Sequence, residues 1–158
     1  MINISQIKGK SMKKLLLTIV AALTLTTPVL AQKQPVGVTY DAQIIRATDG
    51  DTVVIAAPYL PAPLKPELAV RVFGVDTPEK GFRAKCESEK KRGEQSSEFT
   101  KLVIKSTKKH QVVLYDWDKF GGRVLGDIIL DGMSLRSLLI TNGFAREYYG
   151  DAKQSWCN

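Results

Sequence analysis

Three short segments of the 158-residue chain carry side chains of types that do chemistry: Asp49-Gly50-Asp51-Thr52, Asp76-Thr77-Pro78-Glu79 and Phe120-Gly121-Gly122-Arg123. Taken singly, each has an ordinary reading. The first is a hairpin turn, and the third is a glycine-rich loop. The second is a strand end running into a helix start, where Pro suits the first position and acids the first turn. Arg71 is harder to dismiss. In Val70-Arg71-Val72-Phe73-Gly74-Val75 the alternation of a strand puts Arg71 on the same face as Phe73 and Val75. A guanidinium avoids such a face unless an anion meets it there. Asp51 and Asp76 fall at turn ends of neighbouring strands, where two carboxylates repel each other unless a cation lies between them. With only oxygen donors nearby, Ca²⁺ or Mg²⁺ suits the place better than zinc or copper. One His and two Cys leave no room for a Cys-rich zinc module or an imidazole cluster. Hydrolytic chemistry in this chain must rest on carboxylates, Arg and a hard cation.

The elements that must position these groups are legible from pattern. Val38 to Ala47 and Thr52 to Ala57 read as β runs around the Asp49-Gly50 turn. Four prolines between Pro58 and Pro66 make a loop. Leu68 to Val75 is a third strand, and Glu87 to Lys105 turns helical, with Phe99, Leu102 and Val103 on one face and Gly93 weakening it. Gln111 to Trp117 and Arg123 to Leu130 are two more strands, and Ser134 to Thr141 is a short helix closed by Gly143. Phe144 to Asn158 shows no defined element. The pattern predicts an α+β fold dominated by β. It has five strands, a helix inserted after the third and a short C-terminal helix, as in a small Greek-key barrel of the oligonucleotide-binding (OB-fold) type.

The net charge of +7 points to an anionic partner, nucleic acid or a membrane surface. Four of those charges, Lys8, Lys10, Lys13 and Lys14, stand before the apolar run Leu15 to Leu25, which is too short to span a bilayer. With Val29-Leu30-Ala31 following, residues 1–31 read as an N-terminal extension plus a secretory signal, started at Met12 and cleaved after Ala31. The remaining single domain, 32–158, would be periplasmic or extracellular, with no stable membrane association. Its charge of +3 is the balance of +6 over residues 80–110 and −3 elsewhere. A charged helix of this kind is either a solvated face or a patch for phosphate backbones. Export to an oxidising compartment favours a Cys86–Cys157 bridge over two free thiols.

Taken in order, Asp49-Gly50-Asp51-Thr52, Arg71 with Val75-Asp76-Thr77-Pro78-Glu79, and Asp118-Lys119-Phe120-Gly121 with Arg123 resemble the staphylococcal nuclease (thermonuclease) family over residues 38–149. The resemblance implies a monomeric Ca²⁺-dependent phosphodiesterase that cuts DNA and RNA with little sequence preference and leaves 3′-phosphates. Carried over by position, Asp51 and Asp76 would bind Ca²⁺ through carboxylates and Thr77 through its carbonyl. Arg71 and Arg123 would hold the scissile phosphate, and Glu79 would orient or deprotonate the attacking water. Lys119, Phe120 and Tyr149 would contact substrate. Three departures stand out. Phe120 replaces a Tyr that is frequent in the family, Gly122 is an extra residue that the loop must absorb before Arg123, and the proline-rich loop before Arg71 could alter access to the site. The alternative is a non-catalytic OB-fold module that grips single strands; such a module would be expected to have lost Asp51, Asp76 and Glu79, all of which are here. A third reading, a protein whose basic helix contacts anionic lipid, rests on the helix charge alone.

Overall fold

The computed structural model describes residues 35–157; the expected signal segment lies outside them. The strands are β1 (Val38–Asp41), β2 (Ile44–Asp49), β3 (Thr52–Ala56), β4 (Glu67–Val72), β5 (Val75–Asp76), β6 (His110–Trp117), β7 (Arg123–Leu130), β8 (Met133–Ser134) and β9 (Arg146–Glu147). The helices are α1 (Glu87–Ser106) and α2 (Leu135–Thr141), with a 3₁₀ turn at Gly81–Arg83. The fold is therefore mixed α/β and dominated by strands. The main sheet runs β1-β6-β7-β4-β3-β2, with β8 on the far part of β7, and β5 pairs with β9 apart from it.

Two of the five expected strands are broken, and each break has a physical reason. The first run divides at Ala42-Gln43, because its two halves pair with opposite ends of the sheet: β1 lies on β6 and β2 on β3. The chain bends there, with Ala42 N bonded to His110 O at 3.0 Å and Gln43 O receiving Ala56 N at 2.8 Å. Hydrogen bonding among the described strands stays open between β1 and β2, so the pairing shows no closed barrel, while the strand-dominated sheet with its two helices is consistent with the expected OB-like type. The third run breaks at Phe73-Gly74. Phe73 N still bonds Gly126 O on β7, whereas Gly74 O accepts Tyr148 N from the tail. Val75 and Asp76 thereby leave the main sheet and pair with Glu147 and Arg146. The tail that showed no element in the sequence supplies β9.

The core lies between the sheet and the helices, with Val53, Val70, Val112, Ile128, Leu135 and Leu139 fully buried. Burial of that apolar surface is the main favourable term. The helix α1 does not follow the expected face. Leu102 is 65% exposed, and the buried positions are Glu89, Gly93, Ser96, Ser97 and Thr100, while Phe99 and Val103 pack at the edge of the core. Small and polar residues face inward because they meet backbone: Thr100 Oγ1 donates to Gly50 O at 2.7 Å and Ser96 Oγ to Phe144 O at 3.3 Å. The proline-rich loop is closed at its base by Ala57 N to Pro66 O at 2.8 Å. It joins the end of the β3–β4 pair opposite to Thr52 and Arg71.

Cys86 and Cys157 are bonded, 71 residues apart, and Cys86 caps α1 by accepting Glu89 N. The loop that the bond closes in the unfolded chain is long enough for up to about 4 kcal/mol of entropic stabilisation. The Cys86→Ser, Cys157→Ser double variant is expected to unfold at lower denaturant by that order. An unchanged midpoint would show that the tail holds itself in place without the bond.

Candidate functional site

The Asp49–Thr52 turn is tied to the end of β4. Asp51 O accepts Val72 N at 2.8 Å, and Thr52 pairs with Arg71 in the β3–β4 register. This brings Arg71 Nη1 to 2.9 Å from Asp51 Oδ2. Arg71 Nη2 donates to Val75 O at 3.4 Å, and Thr52 Oγ1 donates to Asp51 Oδ1 at 3.0 Å. The anion that justifies an arginine beside Phe73 is, in this structure, Asp51.

The segment after β5 lies against α1. Glu79 N donates to Glu89 Oε1 at 3.4 Å and Lys85 N to Glu89 Oε2 at 2.7 Å, which accounts for a buried glutamate in the helix. The Glu79 carboxylate stays part-exposed, with Arg83 Nε 3.5 Å from its Oε2. Arg83 Nη2 also pairs with Asp49 at 3.0 Å, and Lys80 donates to Ser97 Oγ at 3.0 Å.

The loop from Asp118 to Gly122 links β6 to β7. Gly121 N bonds Asp118 O at 2.9 Å and Asp118 N bonds Arg123 O at 3.1 Å. Gly121 and Gly122 form the exposed tip, and Arg123 pairs opposite Ala69 of β4. The Arg123 Nε donates to Asp118 Oδ2. Burial alone would push the Asp118 carboxyl up. The Arg123 hydrogen bond, the Phe120 N–H, and the charges of Arg123 and Arg71 outweigh it and hold the group below the ordinary carboxylate value.

These three pieces surround one cleft of about 520 Å³. Of the residues singled out from sequence, Asp51, Thr77, Glu79, Arg71 and Arg123 line it, and so do Lys119, Phe120 and Tyr149. The Phe120 ring is exposed, with Lys119 Nζ 5.1 Å from its centroid. Tyr149 leans on Phe73 with centroids 5.8 Å apart, and its hydroxyl receives Arg136 Nη2. The proline-rich loop contributes nothing to the lining. Asp76 does not line the cleft either. It is 5% exposed, with Trp156 Nε1 donating to Oδ2 at 2.9 Å and Lys153 Nζ 2.6 Å from Oδ1. That ammonium stands off the direction a hydrogen bond needs, so Oδ1 is a buried carboxylate oxygen with no hydrogen bond.

Oδ1 is thus a buried anionic oxygen held by charge alone, from a half-exposed ammonium, and a hard cation could take the place of that charge. Asp51, 4% exposed, and Asp76 are both desolvated carboxylates, and Thr77, whose carbonyl the family resemblance makes a third oxygen donor, lines the cleft with Asp51. The donor set fits Ca²⁺ or Mg²⁺ and not a thiolate- or imidazole-seeking metal. The cluster of Cys86, Glu89 and Cys157 is no rival, because both sulfurs are spent in the disulfide.

Sequence reasoning missed four residues. Trp117, 66% exposed at the end of β6, lines the cleft, as do Arg83 and Lys153; Trp156 is buried against Asp76. The Trp117 position beside Asp118 was a usable signal. Lys153 and Trp156 had none, since their partner lies about 80 positions away. Residues 69–156 match the family model described as staphylococcal nuclease homologue, more than half of the chain. The match takes in Arg71, Asp76, Thr77, Glu79 and Arg123, and Asp51 precedes it.

Proposed function

The chain belongs to the staphylococcal nuclease homologue family, and on that premise we propose that it is an exported, monomeric, Ca²⁺-dependent nuclease of DNA and RNA. It cuts with little sequence specificity and leaves 3′-phosphates. The observation that carries the reading is one cleft lined by two arginines, Glu79 and Asp51, with a second buried carboxylate, Asp76, next in sequence to the lining residues Val75 and Thr77. In this reading residues 1–31 direct export and 32–158 form the single nuclease domain. The bend at Ala42-Gln43 would bring the sheet round into an OB-type barrel. Among the described residues no helix is long and apolar enough to cross a membrane.

The side chains divide the work as follows. Arg123 is held at Nε by Asp118, which leaves both terminal nitrogens to fork onto a phosphate. Arg71 is held at Nη1 and Nη2 and presents Nε. Glu79 accepts a proton from, or orients, a water whose oxygen attacks phosphorus; the bond to the 5′ oxygen breaks, and that oxygen takes a proton from solvent. Charge then gathers on the equatorial oxygens, where fixed guanidinium groups stabilise it without reorganising. A bound cation, held by Asp51, Asp76 and the Thr77 carbonyl, would add Lewis-acid polarisation of the phosphoryl group. Phe120 and Trp117 offer ring faces to unpaired bases, which stack without regard to sequence.

The test is incubation of the purified protein with single- and double-stranded DNA and RNA in Ca²⁺, Mg²⁺ or excess chelator, beside Glu79→Ala. Cleavage to 3′-phosphate ends in Ca²⁺, falling to background in chelator and in the variant, is the expected result. Full activity in chelator would overturn the cation. Oligonucleotide binding without cleavage under every condition would favour the single-strand-binding module instead.

A further inference from the structure

The C-terminal tail is the part of the molecule that nuclease chemistry leaves unexplained. Residues 151–157 form no regular element, yet Trp156 is buried at 7% exposure, and its indole N–H reaches Asp76. That indole is fixed from two sides. The guanidinium of Arg146 lies 3.8 Å from its ring centroid while donating to Ser155 O at 2.9 Å, and the next residue, Cys157, is bonded to the start of α1. Lys153 differs in kind. Its side chain is 45% exposed, and its ammonium meets Asp76 Oδ1 at 2.6 Å without the alignment of a hydrogen bond. The two oxygens of Asp76 are therefore treated differently. Oδ2 is oriented by a buried, rigid donor; Oδ1 is covered by a charge on a flexible stem that can swing into the cleft it lines.

A desolvated carboxylate with no counter-charge is strongly unfavourable, and one cation can neutralise it as well as another. We propose that the disulfide-anchored tail is part of the cation site: Trp156 is a positioning residue that aims Asp76, and Lys153 is its internal counter-ion, which an incoming cation must displace. Lys153 then sets the cation affinity, by stabilising the metal-free protein that the cation competes against. This rests on the cation reading above and adds two residues to it that lie outside the acids.

The experiment titrates Ca²⁺ alone, without nucleic acid, into the full exported chain by calorimetry, and follows thermal unfolding with and without Ca²⁺. Lys153→Gln is expected to bind Ca²⁺ about fivefold tighter, the factor that an ion pair of this exposure represents. Its metal-free Tm should fall and its Ca²⁺-induced rise in Tm should grow. Lys153→Arg, which keeps the charge, should return to the wild-type affinity. Trp156→Phe, which keeps a ring and loses the donor, should weaken Ca²⁺ binding about 10-fold or more, as loss of a ligand-orienting partner does. Wild-type affinity together with wild-type metal-free Tm in Lys153→Gln would overturn the inference and leave the cation reading standing. Absence of Ca²⁺ binding by every protein, wild type included, would overturn the cation reading and the inference with it.

Discussion

Arg71→Lys is expected to lower kcat/KM on DNA by about 10²–10³-fold, with the fold and the metal-free Tm little changed. The substitution keeps the positive charge beside Asp51, 2.9 Å away in the wild type, so the buried acid is not left unpaired. What it removes is the planar fork. An ammonium can satisfy Asp51 or a phosphate oxygen, but it cannot hold Asp51, the Val75 carbonyl and a phosphate at fixed angles, as the guanidinium with its five N–H donors can. The loss should fall mainly on kcat, because the interaction strengthens as charge gathers on the transferring phosphoryl group. Arg71→Ala is the less informative variant: it strips Asp51 of its partner and confounds catalysis with stability. Steady-state cleavage of a labelled oligonucleotide beside thermal unfolding decides the matter. Wild-type kcat/KM in a folded Arg71→Lys protein would remove Arg71 from the site.

The second large effect comes from a residue with no functional group. Gly93 lies in the middle of α1, and a Cβ built there would stand 2.3 Å from the Glu79 carbonyl oxygen, 2.6 Å from its carbon and 2.8 Å from the Pro78 oxygen. All three neighbours are backbone, so nothing can rotate away, and either the helix or the Pro78-Glu79 segment must move. Helix propensity alone would favour Ala by about 1 kcal/mol. Overpacking typically costs about 1–3 kcal/mol, and at these separations it wins. Gly93→Ala is therefore expected to be destabilised by up to about 2 kcal/mol net. Displacing Glu79 by something like 1 Å should lower kcat by about 10²-fold as well. Glu94→Ala, at the exposed position beside it, should change neither. A Gly93→Ala protein as stable and as active as wild type would show that the helix does not template the Glu79 segment.

The case of Gly93 bears on what could be read in the chain. In the sequence it weakens a helix, and helix propensity by itself implies nothing more. Its reason is a contact between backbone atoms at positions 93 and 79, and no local pattern carries such a contact. The buried face of α1 was hidden in the same way. Hydrophobic periodicity picked Phe99, Leu102 and Val103, of which Leu102 is exposed, because apolar spacing detects faces that meet apolar surface. Ser96, Thr100 and Glu89 meet backbone groups that need partners and Ser97 accepts from the Lys80 ammonium, and small polar side chains have no periodic signature.

By itself the sequence determined the strand and helix runs to within a few residues, the order of the acids and arginines, and the pair of cysteines that bond. Alternation, turn chemistry and capping are local, and so they survive in a one-dimensional reading. Tertiary structure decided three further things. It set Arg71 against Asp51, broke the third strand so that Asp76 leaves the main sheet, and brought Lys153 and Trp156 onto that carboxylate from a tail that looked featureless. Each depends on pairing between distant segments, where the free energy comes from neutralising a desolvated charge or satisfying a buried backbone group. Arg71 showed in the sequence that it needed an anion but not which one, and Lys153 and Trp156 showed nothing, because the partner is chosen only once the chain has folded.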